Sequence, residues 1–346
     1  MTMTTTATKG KSTGLRHFAD LRDWGAHGVE KLVALARKLK AAPPKDLPLR
    51  GKSLAFCFMN PSLRTQVSFE VAAASLGAHP VTLFFGQGTW NMESRDGAVM
   101  DGSATEHLKD AVPVLGRYCD AVALRAFPSG KTWEEDRKEP QLSPFLRYST
   151  VPVINMESSL GHPCQGLADL MTIQERMDPR RKRFVLTWAP HIKHLPSAVP
   201  HSAAQAAVLG GMDLVLCRPE GYDLDGEVMA WLKEESARRG TKVEVTDDPE
   251  KAYEGAHVVY AKSWGALSNY GALPPQDPAF RDRWRVSAEK MRRTERALLM
   301  HCLPVRRNLE IDDAALDCPG SVVLDEAENR LHTAKAVLLE LLGASK

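Results

Sequence analysis

The sequence predicts an α/β protein: two doubly wound parallel-sheet domains with helices on both faces. Two observations carry this expectation. Short Val- and Leu-rich runs alternate with helix-period stretches along the chain, the pattern of parallel strands joined by covering helices. The alternation also falls into two sets that meet near residue 156, and 346 residues suffice for two domains of ordinary size.

In the first set the expected strands are 52–58 "KSLAFCF", 80–85 "PVTLFF", 120–125 "DAVALR" and 151–155 "VPVIN", with helices over 66–76 and 105–118. In the second they are 183–188 "RFVLTW", 213–218 "DLVLCR", 242–246 "KVEVT", 257–262 "HVVYAK" and 297–301 "ALLMH". Helices 163–176, 199–210 and 226–238 fall among these.

Composition narrows the function classes. Hydrophobic residues make up 43% and charged residues 25%, the profile of a globular protein. Lys+Arg 45 against Asp+Glu 43 leaves a net charge of +2, without the basic excess of a general nucleic-acid binder. The six cysteines form no CxxC pair, so they read as reduced thiols and not as a disulfide framework. No apolar run reaches the length of a membrane span. Residues 1–15, Thr-rich and without the apolar core of a secretory signal, are expected to be a disordered tail on a cytoplasmic protein.

Open parallel sheets bind ligands at the C-terminal ends of their strands. The segments there are "NPSLRT" (60–65), "RAFP" (125–128), "NMESSLGHPCQ" (155–165), "WAPHIKHLPSAVPHS" (188–202), "AKSWGAL" (261–267) and "HCLPVRR" (301–307). Five of the 11 histidines lie in them. In the first, Ser62 and Thr65 are candidate helix caps, and Arg64 is either a solvated side chain or part of an anion site at the helix N-terminus. Arg125 offers a second positive group. In "GHPCQ", His162 precedes a helix with Pro163 in its first turn, a capping arrangement. Its functional alternative is a hydrogen bond to a carbonyl oxygen, with Gln165 orienting a polar substrate. His162, Cys164, His301 and Cys302 have no paired spacing that supports a metal site. Cys302 invites a nucleophile reading with His301 as base, but adjacent strand residues face opposite ways. Lys262 is either solvated or a carboxylate partner, and Arg330 either pairs with Glu326 at helical spacing or enters a site. No GxGxxG follows a strand and no GxxxxGK[ST] occurs, which weakens nucleotide-binding readings.

Together "PSLRTQ", "HPCQ" and "HCLPVRR", in that order, resemble the three signatures of the aspartate/ornithine carbamoyltransferase family, from about residue 16 to the C-terminus. "GTWNME", "VMDG", "LRAFP", "AKSWGAL" and "DEAENRLH" are most similar to its branch acting on N-acylated ornithine, which makes N-acetyl- or N-succinylcitrulline on the way to arginine. The resemblance implies a carbamoyl-phosphate domain over 16–155, an acylornithine domain over 156–328, and a C-terminal helix, 329–346, packing back on the first. It implies that Ser62, Leu63, Arg64 and Thr65 hold the phosphate, and that Thr65, Arg125 and His162 polarise the carbamoyl oxygen. Gln165 and the carbonyls of Cys302 and Leu303 are then the holders of the carbamoyl NH2, with Arg330 completing the site. Trp90 resembles a residue supplied by a neighbouring subunit, so a homotrimer is implied. Glu157 and Lys262 match positions that contact the acylated ornithine, and no metal or organic cofactor is implied.

Three positions depart from the family pattern. Gln66 replaces the usual second arginine of the phosphate loop. Glu310 stands where acetyl-type members can carry lysine. Thr105 stands where acetyl-type members have glutamate and succinyl-type members proline; it imposes no repulsion on a succinyl carboxylate. The expected activity is therefore carbamoyl transfer to an N-acylornithine, acetyl or succinyl. Transfer to free ornithine and a non-catalytic binding role on the same fold are the alternatives.

Overall fold

A computed structural model describes residues 15–343; the expected tail lies outside them apart from Leu15. The strands, in chain order, are β1 (Ser53–Phe58), β2 (His79–Phe84), β3 (Met92–Glu93), β4 (Glu106–His107), β5 (Ala121–Arg125), β6 (Val153–Glu157), β7 (Arg183–Trp188), β8 (Asp213–Cys217), β9 (Val243–Thr246), β10 (Val258–Lys262) and β11 (Leu298–Met300). They form a four-stranded sheet in the order β2-β1-β5-β6 and a five-stranded sheet in the order β11-β10-β7-β8-β9. Every ladder is parallel, and central strands are buried on both faces, which explains their continuous apolar runs. The fold class is the one expected.

Three apolar clusters hold these layers. One wraps the second sheet around Trp188, Tyr260 and Trp264. One covers the Leu108 and Phe145 side of the first sheet. The third joins the other side, through Phe56, Phe58 and Phe69, to the helix Pro163–Arg176 and to Ala334, Ala336, Val337 and Leu338 of the terminal helix. That terminal helix returns to the first sheet as expected, but it spans Val323–Leu342. Arg330 therefore lies well inside it and not at its start.

Two further differences have local causes. The expected helix 105–118 begins at Leu108, because Glu106 and His107 pair with Met92 and Glu93 as a short parallel ladder, and the His107 ring accepts the Lys109 N–H at 3.0 Å. A helix over Gly25–Ala41, absent from the sequence-based expectations, buries Val29, Leu32, Val33, Ala36 and Leu39.

Candidate active site

The helix Leu63–Ser75 starts directly after β1, and Ser62 is its N-cap: Oγ accepts the Thr65 N–H at 3.3 Å. The capping reading of Ser62 is correct, and it has a consequence. Leu63 and Arg64 occupy the first turn, where backbone N–H groups have no intrahelical acceptor and favour an anion. Their loop forms one wall of a cavity of about 480 Å³ between the C-terminal ends of the two sheets.

That cavity brings together Ser62, Leu63, Arg64, Thr65, Arg125, Glu157, His162, Gln165, Lys262, Cys302, Leu303 and Arg330. Trp90 and Thr105 are not among its lining residues. Both are exposed on the segment between β2 and β4, where the Trp90 indole donates to Glu106 at 2.8 Å and the Thr105 N–H to the Asn91 carbonyl at 3.1 Å.

The electrostatics are those of an anion site. Arg64, Arg125, Lys262 and Arg330 face a cavity lined by one carboxylate, Glu157. Arg125 and Glu157, which end neighbouring strands and stand opposite each other across a register shift, form a buried ion pair. Arg64 makes no hydrogen bond or ion pair among the described residues; burial and the nearby Arg125 push its guanidinium below the ordinary value. Arg330 spans the site: it donates to Thr65 Oγ1 at 2.9 Å and to Gln165 Oε1 at 2.9 Å. Its alternative reading, an ion pair with Glu326, is not what forms. Glu326 instead accepts from Gln165 at 2.9 Å and from the His301 N–H at 3.0 Å.

His162 precedes its helix without using its side chain as a cap. Its backbone N–H donates to Ser202 Oγ at 2.8 Å, while Nε2 sits 3.6 Å from the Glu157 carboxylate and Nδ1 has no partner. Burial, then Arg330 and Arg125, hold the ring well below its ordinary pKa, so it is neutral at pH 7. Its chemistry there is that of a neutral hydrogen-bond donor.

The geometry removes the thiol nucleophile. His301 Nδ1 accepts the Leu303 N–H at 2.9 Å, which places its proton on Nε2, 3.3 Å from Glu310. Neither nitrogen is free to serve Cys302, whose thiol burial pushes up to about 12. The Cys302 and Leu303 carbonyls, by contrast, receive no hydrogen bond among the described residues and remain acceptors. Burial alone acts to raise the Glu310 carboxyl, but His301, Lys262 and the Arg306 N–H pull it down to about 2. Among the described residues no cluster of three or more His, Cys, Asp or Glu has a metal-binding arrangement.

The cavity also contains residues that sequence reasoning placed in strand-end segments without giving them individual roles. Phe127 lies under the Arg125 guanidinium, 4.6 Å from ring centroid to carbon. His191, Leu195, Pro196 and Val199 come from the segment after β7, and Arg306 Nε donates to His191 Nε2 at 3.0 Å. Their placement after a strand was a usable signal; their individual directions were not.

Comparison with known proteins shows the family. Residues 16–175 match the family described as aspartate/ornithine carbamoyltransferase, carbamoyl-P binding domain, and residues 196–341 its Asp/Orn binding domain. The chain is 43% identical to the N-acetylornithine carbamoyltransferase of Xanthomonas campestris pv. campestris, over 96% of this chain and 99% of that one. It is 41% identical to the N-succinylornithine carbamoyltransferase of Bacteroides thetaiotaomicron, over 85% and 88%. A crystal structure of acetylornithine transcarbamylase complexed with acetylcitrulline superposes with a TM-score of 0.89 at 42% identity, covering 94% of this chain and 99% of that one. With both halves matched in order and its three signature loops gathered on one cavity, this chain belongs to the aspartate/ornithine carbamoyltransferase family.

Proposed function

We propose that the protein transfers the carbamoyl group of carbamoyl phosphate to the δ-amino group of an N-acylated L-ornithine, giving an N-acylcitrulline and phosphate in arginine biosynthesis. The observation that carries this is the convergence of Arg64, Arg125 and Arg330, with the open helix N-terminus at Ser62–Thr65, on one cavity that Lys262 and Glu157 also line. The first group suits a phosphate, and the second suits the amino-acid end of an acceptor.

In this reading residues 16–155 hold carbamoyl phosphate, 156–328 the acylornithine, and the terminal helix returns Arg330 to the first. The δ-amine, with a lysine-like pKa of about 10.4, must shed a proton before it attacks. With that first proton lost to solvent, the nitrogen bonds to the carbamoyl carbon, the bond from that carbon to the bridging oxygen breaks, and the departing phosphate takes the second proton that the nitrogen must lose. Thr65, Arg125 and His162 stabilise charge on the carbamoyl oxygen, while Gln165 and the Cys302 and Leu303 carbonyls hold its NH2. The site needs no metal or organic cofactor for these steps, and six unpaired thiols suit a reducing cytoplasm. No helix among the described residues is long and apolar enough to cross a membrane.

A homotrimer completes the reading. Leu63, Val67 and Val71 are 74%, 52% and 46% exposed along one stripe of the helix that bears Arg64, an apolar face beside the site that a second copy covers. Trp90 and Thr105, exposed nearby on their loop, then reach a neighbour's cavity. Light scattering should give three times the 38.1 kDa chain mass. Val67→Lys should give monomers with under about a tenth of the activity, since a charge in an apolar interface is left unpaired; an active monomer would refute a shared site.

The functional test is citrulline-type product formed from carbamoyl phosphate with ornithine, N-acetylornithine and N-succinylornithine. An acylated acceptor is expected to exceed free ornithine in kcat/KM by about 100-fold or more, because free ornithine brings a charged α-ammonium, which must be desolvated, to a cavity whose one carboxylate, Glu157, is already paired with Arg125. The same series ranks acetyl against succinyl at uncharged Thr105. Turnover of free ornithine alone rejects the acyl reading, and no turnover with any acceptor points to the binding role.

A further inference from the structure

Behind Gln165 lies a buried acidic pair that the mechanism above does not use. Gln165 Nε2 donates to Asp169 Oδ1 at 2.8 Å and to Glu326 Oε1 at 2.9 Å. Asp169 is one helical turn along from Gln165, and Glu326 comes from the terminal helix. Two carboxyls within reach of one nitrogen, each at most 1% exposed, cannot both be ionised without strong repulsion. Burial raises Asp169 to about 7, and burial together with Asp169 raises Glu326 well above the carboxylate range. The pair keeps a proton at neutral pH. The groups facing it are Arg330 from the terminal helix, Tyr260 from β10, and Cys302 with the His301 N–H after β11.

We propose that Asp169 and Glu326 are positioning residues that lock the Gln165 carboxamide with its oxygen toward the bound carbamoyl group, so that the pocket selects a carbamoyl NH2 over an acetyl methyl. The inference rests on the functional reading above and deepens it. Both amide protons of Gln165 are directed at the carboxyls, and Oε1 faces Arg330 at 2.9 Å. The reversed amide sets its NH2 against guanidinium protons and its oxygen against carboxyl oxygens, so both ends oppose the flip. Only Oε1, with a second lone pair, is left for a ligand. It adds to the acceptors at Cys302 and Leu303, making a set that an NH2 satisfies and a methyl leaves unpaired.

Acetyl phosphate keeps the phosphate and carbonyl of carbamoyl phosphate but replaces NH2 with methyl, so it is the probe. The experiment measures, in the full-length enzyme, its inhibition constant against carbamoyl phosphate and the KM for carbamoyl phosphate. The ratio of the first to the second is the selectivity. It should fall about tenfold in Asp169→Leu, which removes one of the two acceptors that hold the amide, and about threefold in Asp169→Asn, which keeps an oxygen but allows either amide orientation. KM for the acylornithine should hold steady. A general structural defect weakens both phosphates alike and leaves the ratio unchanged, and that result in folded Asp169→Leu overturns the proposal. If the leucine variant does not fold, an unchanged ratio in Asp169→Asn overturns it. Wild-type protein that binds carbamoyl phosphate without transferring it defeats the functional reading itself, an outcome distinct from a failed ratio.

Discussion

Arg64→Leu is expected to lower kcat/KM for carbamoyl phosphate by about 1000-fold while leaving the folded protein at least as stable as before. The two halves of that expectation have one cause. Arg64 forms no hydrogen bond or ion pair among the described residues, and it stands beside Arg125 in a cavity of excess positive charge. Its interactions are made with an anion or not at all. Deleting it removes repulsion from the free enzyme and a charge-assisted, bidentate contact from the complex. Arg64→Lys should recover only part of the loss, because an ammonium cannot reproduce the planar fork. Saturation kinetics in carbamoyl phosphate, with thermal unfolding of the same samples, measure both halves. Unchanged saturation in the leucine variant would remove Arg64 from the phosphate site; a large drop in melting temperature would show a structural role.

The parts of this protein that the sequence made legible are those fixed locally. Strand ends are local, and so is the cap at Ser62: the polar residues after β1, β5, β6, β10 and β11 do meet on one cavity. The helix Gly25–Ala41 was also written in its spacing, yet it follows Trp24 and has no capping side chain to announce its start. What stayed hidden is long-range. Nothing near Arg330 says that its guanidinium reaches Thr65, 265 positions away; local spacing instead suggests Glu326, which is drawn off by Gln165, Tyr260 and His301. Asp169 reads as an ordinary helical carboxylate until the terminal helix is laid against it. Likewise, Trp90 and Thr105 lie exposed outside the cavity, a placement that no local spacing announces.

The second large effect is expected at His162, and there kcat, not affinity, should fall. His162→Ala should lower kcat by about 100- to 1000-fold with a small change in the KM for carbamoyl phosphate, the signature of a donor whose bond strengthens as charge develops on the oxygen. The protonation state makes the test sharper. Burial, Arg330 and Arg125 all disfavour the imidazolium, and the nearest carboxylate, 3.6 Å away, is already paired with Arg125. Its pKa in the folded protein lies below its unfolded value of about 6.5. The ring thus stays neutral while pH falls through that value, and it contributes no bend to the kcat profile there. His162→Asn, which keeps a neutral N–H donor, should recover part of the lost rate. Its profile should have the wild-type shape at lower height. A wild-type bend near 6.5 that vanishes in His162→Asn would make this histidine a titrating acid or base, and the phosphate would no longer be the only acceptor of the second proton.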